Sequence, residues 1–266
     1  MNEKLSEELL SQKLMKLQRN SRRGLLLFLL GFIGVVCTLV GWLFGQGEGN
    51  KLPILLFTAV LLAGIATTLL CDRKRNALIQ SQMGEELQAM TVGAFGPDSP
   101  RPGLTLDESL LRQVWPQGQN WERCKLEQTH TGRWREVRFS AANGTLEHVY
   151  QVKRDQTYSD ATEEVFAGLF LTVQIKNAPA PLSQRTEEAL TRAAGTPPEV
   201  VHLEPGRLFL AIHTPVRFAQ VPFDADPRNI DNLRWGFQRS LEYVQGILDV
   251  LLQDRDLFPA GKGGQA

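Results

Sequence analysis

The sequence predicts a membrane-anchored α+β protein. Its N-terminal two-helix transmembrane hairpin is followed by a soluble domain with a largely antiparallel sheet and a long C-terminal helix. Three observations predict this class. Two uncharged apolar runs, each about 20 residues and long enough to cross a bilayer as a helix, lie close together near the N-terminus. Short strand-like segments separated by turn residues follow them. The chain then ends in a long amphipathic helical pattern.

The two apolar runs cover residues 24–44 and 52–71, and the connector between them is short and glycine-rich. Because lipid cannot hydrogen-bond to a backbone, a helix is the expected conformation of each run. A cleaved signal peptide is disfavoured, since the first run is longer than a signal-peptide core and a second run follows at once. The predicted transmembrane hairpin therefore spans residues 24–71.

Basic residues precede the first span and follow the second, whereas the connector has only Lys51, beside Glu48. By the positive-inside rule, this asymmetry predicts that both termini and the soluble domain lie in the cytoplasm. The residues expected to set this topology are Arg19, Arg22, Arg23, Arg73, Lys74 and Arg75.

Small residues recur along both spans at spacings of three or four, which lets membrane helices approach closely. Packing inside the hairpin is favoured over an interface between subunits. Neither span contains Asp, Glu, Lys, Arg or His, so a transport path through the hairpin loses support. The predicted helix-packing residues are Gly31, Gly34, Thr38, Gly41 and Gly45 in the first span and Ala59, Ala63 and Ala66 in the second.

The segments around the hairpin divide by composition. Residues 1–23 are predicted to form a cytoplasmic amphipathic helix, which either lies on the inner leaflet or packs on the soluble domain or on a second copy. Residues 72–103 are predicted as a juxtamembrane helix and a linker rich in Gly and Pro. The soluble α+β domain is expected over residues 104–254, and residues 255–266 are expected to be a disordered tail.

Turn and cap signals predict the first elements of the soluble domain. Thr105 and Glu108 form a capping box that begins a short helix. Asn143-Gly144 predicts a tight hairpin turn between two strands, because both turn positions need positive φ. The apolar run over residues 164–176 predicts a central strand, in which Gly168 marks a bulge or bend.

The remaining elements follow the same signals. Residues 183–194 predict a helix that ends at Gly195, and Glu204-Pro205-Gly206 predicts a second hairpin. Residues 216–223 are expected to add a strand. Residues 229–252 carry apolar side chains at helical spacing and predict the long final helix.

Composition and motifs exclude several function classes. The 29 basic and 29 acidic residues argue against a nucleic-acid partner, because such proteins usually carry a strongly basic domain. The three cysteines fit neither a disulfide framework nor a metal-ligand spacing. Phosphate-binding glycine loops, dinucleotide fingerprints and zinc-protease motifs are absent from the sequence. We therefore expect no cofactor and assign no catalytic, cofactor-binding or metal-binding residue.

The weak candidates for acid–base chemistry are His202, His213, Asp224 and Asp226. A single strand histidine is far more often a solvated or core-edge residue than a catalytic base. The two aspartates are better explained by turn and helix-start chemistry. Trp235 lies off the apolar stripe of the final helix and is expected to pack on the linker, with an exposed anchor for a partner as the alternative.

The order of these segments carries a resemblance. A hairpin of spans precedes the strand over residues 164–173, with its Phe-Ala-Gly-Leu-Phe core, and the apolar residues 208–212 precede the long final helix. This arrangement resembles the uncharacterised bacterial membrane family catalogued as domain of unknown function 3137. The resemblance implies a multi-pass protein of the bacterial inner membrane. It supplies no catalytic residues.

Three functions remain as hypotheses. The leading one is a non-enzymatic, membrane-anchored interaction, sensing or scaffold module that binds a protein partner or assembles with itself. The second is a small membrane enzyme with an unrecognised site at the four candidate residues named above. The third is a subunit of an oligomeric pore or membrane-perturbing effector built on the glycine stripe.

Overall fold

The computed structural model describes residues 6–43, 52–101, 103–116, 120–154, 157–176 and 181–259. The helices are α1 (Glu7–Leu43), α2 (Leu52–Phe95), α3 (Glu108–Val114), α4 (Gln184–Ala194) and α5 (Ile230–Leu252). The strands are β1 (Arg123–Trp134), β2 (Val137–Arg154), β3 (Thr157–Gln174), β4 (Val200–Glu204) and β5 (Arg207–His213). The chain divides into two compact units, one formed by Met1–Glu86 with Asp226–Leu233 and the other by Leu87–Ala225 with Arg234–Ala266.

In the first unit, α1 and α2 each contain a stretch long and apolar enough to cross a membrane. Both helices extend well beyond the predicted spans, because residues 7–23 run directly into the first span and residues 72–95 continue the second. Positions 23 and 71, predicted as segment boundaries, are therefore inside continuous helices. The connector and Gly45 lie outside the described residues.

Glycines bring the two long helices into close contact. A Cβ atom at Gly31 would lie 2.6 Å from the Leu61 backbone nitrogen, and one at Gly34 would lie 2.2 Å from the Phe57 ring. A Cβ atom at Gly64 would lie 2.5 Å from the Phe28 backbone nitrogen. Since real Cβ atoms do not approach so closely, these positions accept only glycine, and the packing lies within one chain.

The other predicted packing positions differ in their surroundings. Ala59, Ala63 and Ala66 are not buried within the hairpin, because all three are exposed, and Gly64 makes the close contact on α2. Thr38 donates its hydroxyl to the Gly34 carbonyl within α1. Among the described residues, a Cβ atom at Gly41 would have no neighbour within 4 Å.

The early turns of α1 are partly buried. Leu10 and Leu14 are 4% and 0% exposed, and the Ser11 hydroxyl donates to the Arg228 carbonyl at 3.2 Å within the first unit. A buried leucine face is not free to rest on lipid, so the contacts favour packing over an interfacial position. Of the predicted topology-setting residues, five are exposed and Arg75 is buried.

The second unit contains one five-stranded sheet with the order β1-β2-β3-β5-β4 and antiparallel pairing throughout. The prediction of an antiparallel α+β domain with a central strand near residues 164–176 is confirmed. One face of the sheet packs Ala142, Phe170 and Phe209 against Leu111 of α3 and the adjoining Trp115. The opposite face carries the fully buried side chains of Phe139, Leu171, Leu210 and Ile212.

The predicted turn at Asn143-Gly144 is wrong, because β2 runs straight through both residues. The Asn143 side chain pairs with the Phe218 backbone, accepting its N–H at 2.7 Å and donating to its carbonyl at 2.8 Å. Gly144 is required for a different reason, since its missing Cβ would lie 2.0 Å from the Phe170 ring. Tertiary packing, rather than turn geometry, therefore explains this pair of residues.

Three other details also differ from prediction. Gly168 is not itself the bulge: its Cβ would lie 2.1 Å from the Ile212 carbonyl, and the extra residue on β3 is Val165, where the register shifts. Residues 216–223 form turns and not a strand. Asp107, rather than Thr105, caps α3 by accepting the Leu110 N–H.

The second hairpin, α4 and α5 form as predicted, with Ser183 and Gly195 as the caps of α4. Residues 255–259, predicted as part of a disordered tail, form turns in which Leu257 is buried and its carbonyl accepts the Lys176 N–H. The linker is likewise ordered in part, since the Asp98 carboxylate accepts the Thr131 N–H at 2.8 Å. Residues 260–266 lie outside the described part of the chain.

Candidate interaction surface

The four residues proposed for acid–base chemistry do not converge. His202 lies on β4 and pairs with Glu204 at 3.0 Å, whereas His213 ends β5 against the Phe166 ring. Asp226 binds the Arg228 side chain and backbone N–H in a local turn, and hydrogen bonds from Arg228 hold the pKa of Asp226 below its usual range. Asp224 is exposed.

Among the described residues, no three His, Cys, Asp or Glu side chains are arranged to hold a metal ion. Trp235 is 64% exposed, so the favoured packing interpretation is wrong and the anchor alternative is retained.

The most prominent feature of the sheet is a two-stranded ribbon formed by the ends of β2 and β3. Pairing between β1 and β2 reaches Glu147, and pairing between β3 and β5 reaches Gly168. Beyond these points β2 and β3 continue together for seven cross-strand pairs, from His148↔Glu163 to Arg154↔Thr157. At roughly 3.4 Å per residue, the ribbon extends about 24 Å from the sheet.

Aromatic and apolar side chains are exposed on both faces of this ribbon. Tyr150 and Val152 point to one face, and Tyr158, which pairs with Lys153, points to the other. Tyr158 is 62% exposed and Tyr150 is 42% exposed. Tyrosine is enriched in protein interfaces because it offers a large apolar area together with a polar hydroxyl. The ribbon therefore has the composition of an interface on each side.

Local contacts order these tyrosines. The His148 ring stacks on Tyr150 with 5.9 Å between centroids, and the Lys153 ammonium lies 5.9 Å from the Tyr158 ring centroid. Both pairs stabilise the extended ribbon only modestly, because cation–π and aromatic pairs at exposed sites contribute about 0.5–1.5 kcal/mol. An isolated two-stranded ribbon is marginally stable in water, so a partner that covers it would add stability.

The Glu122 carboxylate holds the base of the ribbon. Glu122 accepts the Val149 N–H at 2.6 Å and contacts His148 Nδ1 at 2.9 Å. The Val149 hydrogen bond is the main reason that the pKa of Glu122 lies below its usual range. This contact ends the β1 side of the sheet, and from Tyr150 onward the outer edge of β2 pairs with no other strand among the described residues.

Both edges of the ribbon present backbone groups outside the sheet ladders. The β3 edge is open from Thr157 to Ala167 and carries the acidic residues Asp160, Glu163 and Glu164. Open strand edges are templates for pairing with another extended chain. The arrangement can therefore bind a peptide segment through main-chain hydrogen bonds, with the tyrosines as side-chain contacts.

The sequence analysis did not predict this ribbon, because it placed a turn within β2 and so did not pair the end of β2 with the start of β3. A turn assigned at Asn143-Gly144 left residues 157–163 without a partner, and their polar composition gives no apolar alternation. The alternation of Tyr150 and Val152 was the available signal, since it continues the period of two past the sheet.

Comparison with known proteins adds no relative. No family model matches the chain. No curated protein and no solved structure matches it. The resemblance to the uncharacterised membrane family stays a prediction.

Proposed function

We propose that this chain is a membrane-anchored interaction module whose ribbon docks a protein partner or a second copy of the chain by strand addition. The observation that carries the proposal is the ribbon itself, with seven pairs beyond the sheet, open edges and exposed tyrosines. Charged side chains, among them Asp160, Glu163 and Lys153, already limit non-specific pairing along these edges. The exposed tyrosines give no such protection and are better explained by a partner than by the stability of the domain.

The anchor in this proposal is the helical hairpin. The two apolar stretches support insertion, and their basic flanks support a topology with both termini and the soluble domain in the cytoplasm. The family resemblance supports the inner membrane of a bacterium as the location. Anchoring would restrict the ribbon to partners at the membrane surface and raise their effective concentration.

The two alternatives receive less support. Two of the glycines on which the pore hypothesis depends, Gly31 and Gly34, are used for packing within the hairpin. The candidate acid–base residues of the enzyme hypothesis are engaged in local pairs or lie apart, within the part of the chain that the structure describes. No specific observation favours either function over an interaction module.

Site-specific photocrosslinking in native membranes tests the proposal. A photoreactive phenylalanine analogue replaces Tyr150 or Tyr158 in the full chain, and a matched variant carries it at Arg185, an exposed position on α4. We expect discrete crosslinked species from the two ribbon positions and none from Arg185. Mass spectrometry of those species then distinguishes a second copy from another protein.

A variant with an added charge on the ribbon provides a second test of the same proposal. Tyr158→Lys adds charge to the ribbon and should reduce the crosslinks formed from Tyr150, because charged side chains disfavour strand addition. Absence of any crosslink from both ribbon positions, or the same products from Arg185, would remove the support for docking at the ribbon.

A further inference from the structure

A second feature of the soluble domain is an arginine-lined cavity at the end of the sheet opposite the ribbon. The cavity has a volume of about 500 Å³ and is lined by Arg101, Arg138, Gln174, Glu204 and Arg207, together with the Pro205-Gly206 turn. Ligand pockets in proteins commonly have volumes of about 300–1,000 Å³. The cavity is thus large enough for a small organic molecule.

Strand register brings three of these residues into one row. Gln174 on β3 pairs with Arg207 on β5, and Phe139 pairs with Val173, so the next position outward on β2 is Arg138. Residues directly opposite in a sheet point to the same face. With strands about 4.8 Å apart, Arg138 and Arg207 flank the Gln174 amide at a Cα separation of roughly 10 Å.

The carboxylate at this cavity is already engaged. Glu204 binds Arg207, receives a hydrogen bond from Gln113 at 3.2 Å and contacts His202 at 3.0 Å. Hydrogen bonds from His202 and Arg207 hold the pKa of Glu204 below its usual range, so it stays ionised and paired with Arg207. The nearby Asp107 is occupied in capping α3.

The two other guanidinium groups have no acidic partner among the described residues. Arg138 is half-buried and Arg101 is exposed, and neither forms a side-chain ion pair there. Arg138 also lies directly opposite Arg133 across β1 and β2, and like charges in that position destabilise a sheet. An anion bound in the cavity would relieve this repulsion.

From this arrangement we propose that the cavity binds the phosphate group of a small phosphorylated molecule or of a lipid headgroup, held between Arg138, Arg101 and Arg207 above the Gln174 amide. Three guanidinium groups against one carboxylate favour a dianion. A phosphate monoester carries a charge of about −1.5 to −2 at neutral pH, and its oxygens suit the planar fork of arginine. The proposal is independent of the ribbon and of any partner that docks there.

Isothermal titration of the full chain with inorganic pyrophosphate, in nanodiscs of phosphatidylcholine, tests the site. We expect saturable binding that weakens about 10- to 100-fold in Arg138→Gln and in Arg101→Gln, because each removes a charge-assisted contact. Arg185→Gln on α4 removes the same charge outside the cavity and should bind as the wild type does. Circular dichroism and thermal unfolding show whether each variant folds, and the exposed Arg101 keeps the test valid if Arg138→Gln does not.

Nanodiscs that also contain a phosphoinositide separate the two phosphate sources. If the site takes a lipid headgroup, the phosphoinositide competes and lowers the apparent affinity for pyrophosphate in the wild type but not in Arg138→Gln. Equal affinities in both lipid compositions support a soluble phosphate compound. The proposal is overturned if the wild type shows no saturable binding of pyrophosphate, or if Arg185→Gln weakens binding as much as the cavity variants do.

Discussion

Replacing Asn143 with alanine tests the best-defined difference between the predicted and the observed strand pairing. The Asn143 side chain satisfies both backbone groups of Phe218, at 2.7 and 2.8 Å, and Phe218 is fully buried. Asn143→Ala removes both hydrogen bonds and leaves a buried N–H and a buried carbonyl unpaired. Each unpaired group costs about 1–3 kcal/mol, so the expected loss of folding free energy is about 2–6 kcal/mol.

That loss is a large fraction of the stability of a typical domain, which is about 5–15 kcal/mol. For a domain of about 150–250 residues, 1 kcal/mol corresponds to about 2–4 °C, so the unfolding temperature should fall by roughly 5–20 °C. Thermal unfolding of the full chain in detergent micelles, followed by tryptophan fluorescence, measures this change. Gln151→Ala, on the exposed part of the same strand, is the control and should change stability by less than about 0.5 kcal/mol.

The substitution Asn143→Asp separates the two structural explanations. In an exposed hairpin turn, Asp-Gly is nearly as favourable as Asn-Gly, so the variant would be close to neutral. In the observed strand, the second carboxylate oxygen would face the Phe218 carbonyl, and the variant should be strongly destabilised at neutral pH. Lowering the pH should restore part of the stability, because a protonated acid can donate to that carbonyl. If Asn143→Ala and Asn143→Asp both unfold at the same temperature as the wild type, the pairing of Asn143 with Phe218 is refuted.

Three further predictions concern titration, reactivity and the hairpin. Burial holds the pKa of His130 below its usual value, so the unfolded chain binds a proton first and stability should fall as the pH drops below about 6.5. The unfolding temperature of His130→Phe, measured from about pH 7.5 to about pH 5.5, should be less sensitive to pH. Burial raises the pKa of the Cys124 thiol to about 11, so maleimide should label Cys124 in the folded chain slowly and a cysteine introduced at the exposed Glu188 rapidly, as peptide mass spectrometry measures at each site. Equal labelling rates would contradict this environment for Cys124. Gly31→Val should lower the unfolding temperature in micelles more than Gly41→Val does, since Gly31 lies against Leu61 of the facing helix and Gly41 has no close neighbour in the part of the chain that the structure describes.

Elements controlled by local signals were predictable from the sequence. Ser183 caps the start of helix α4 and Gly195 caps its end, where Gly195 adopts the positive φ that glycine favours. The second hairpin turns at Pro205-Gly206, and α5 follows its apolar stripe from Ile230 to Leu252. In each case the signal and the structure that it specifies lie within a few residues of each other.

Elements controlled by distant contacts were not predictable. The Asn143-Gly144 pair has the composition of a turn, yet its neighbours in space are Phe218 and Phe170. The arginine cavity combines the linker with β2, β3 and the β4–β5 turn, and no spacing along the chain connects these segments. The same holds for the helical hairpin of α1 and α2. Gly64 was not predicted as a packing residue, because which residues of the two helices face each other depends on how the helices pack.

The ribbon and the arginine cavity occupy opposite ends of the hairpin formed by β2 and β3, and this separation makes their functions testable one at a time. Tyr150 lies twelve positions after Arg138 on β2, which corresponds to roughly 40 Å of strand. Sites so far apart with no shared partner normally act additively. We therefore expect Arg138→Gln to leave the crosslinks formed from Tyr150 unchanged, and Tyr158→Lys to leave the affinity for pyrophosphate unchanged. If pyrophosphate instead alters crosslinking in the wild type but not in Arg138→Gln, the sheet transmits ligand binding to the ribbon. Independence would then be refuted, and the soluble domain would act as a sensor of the phosphate compound.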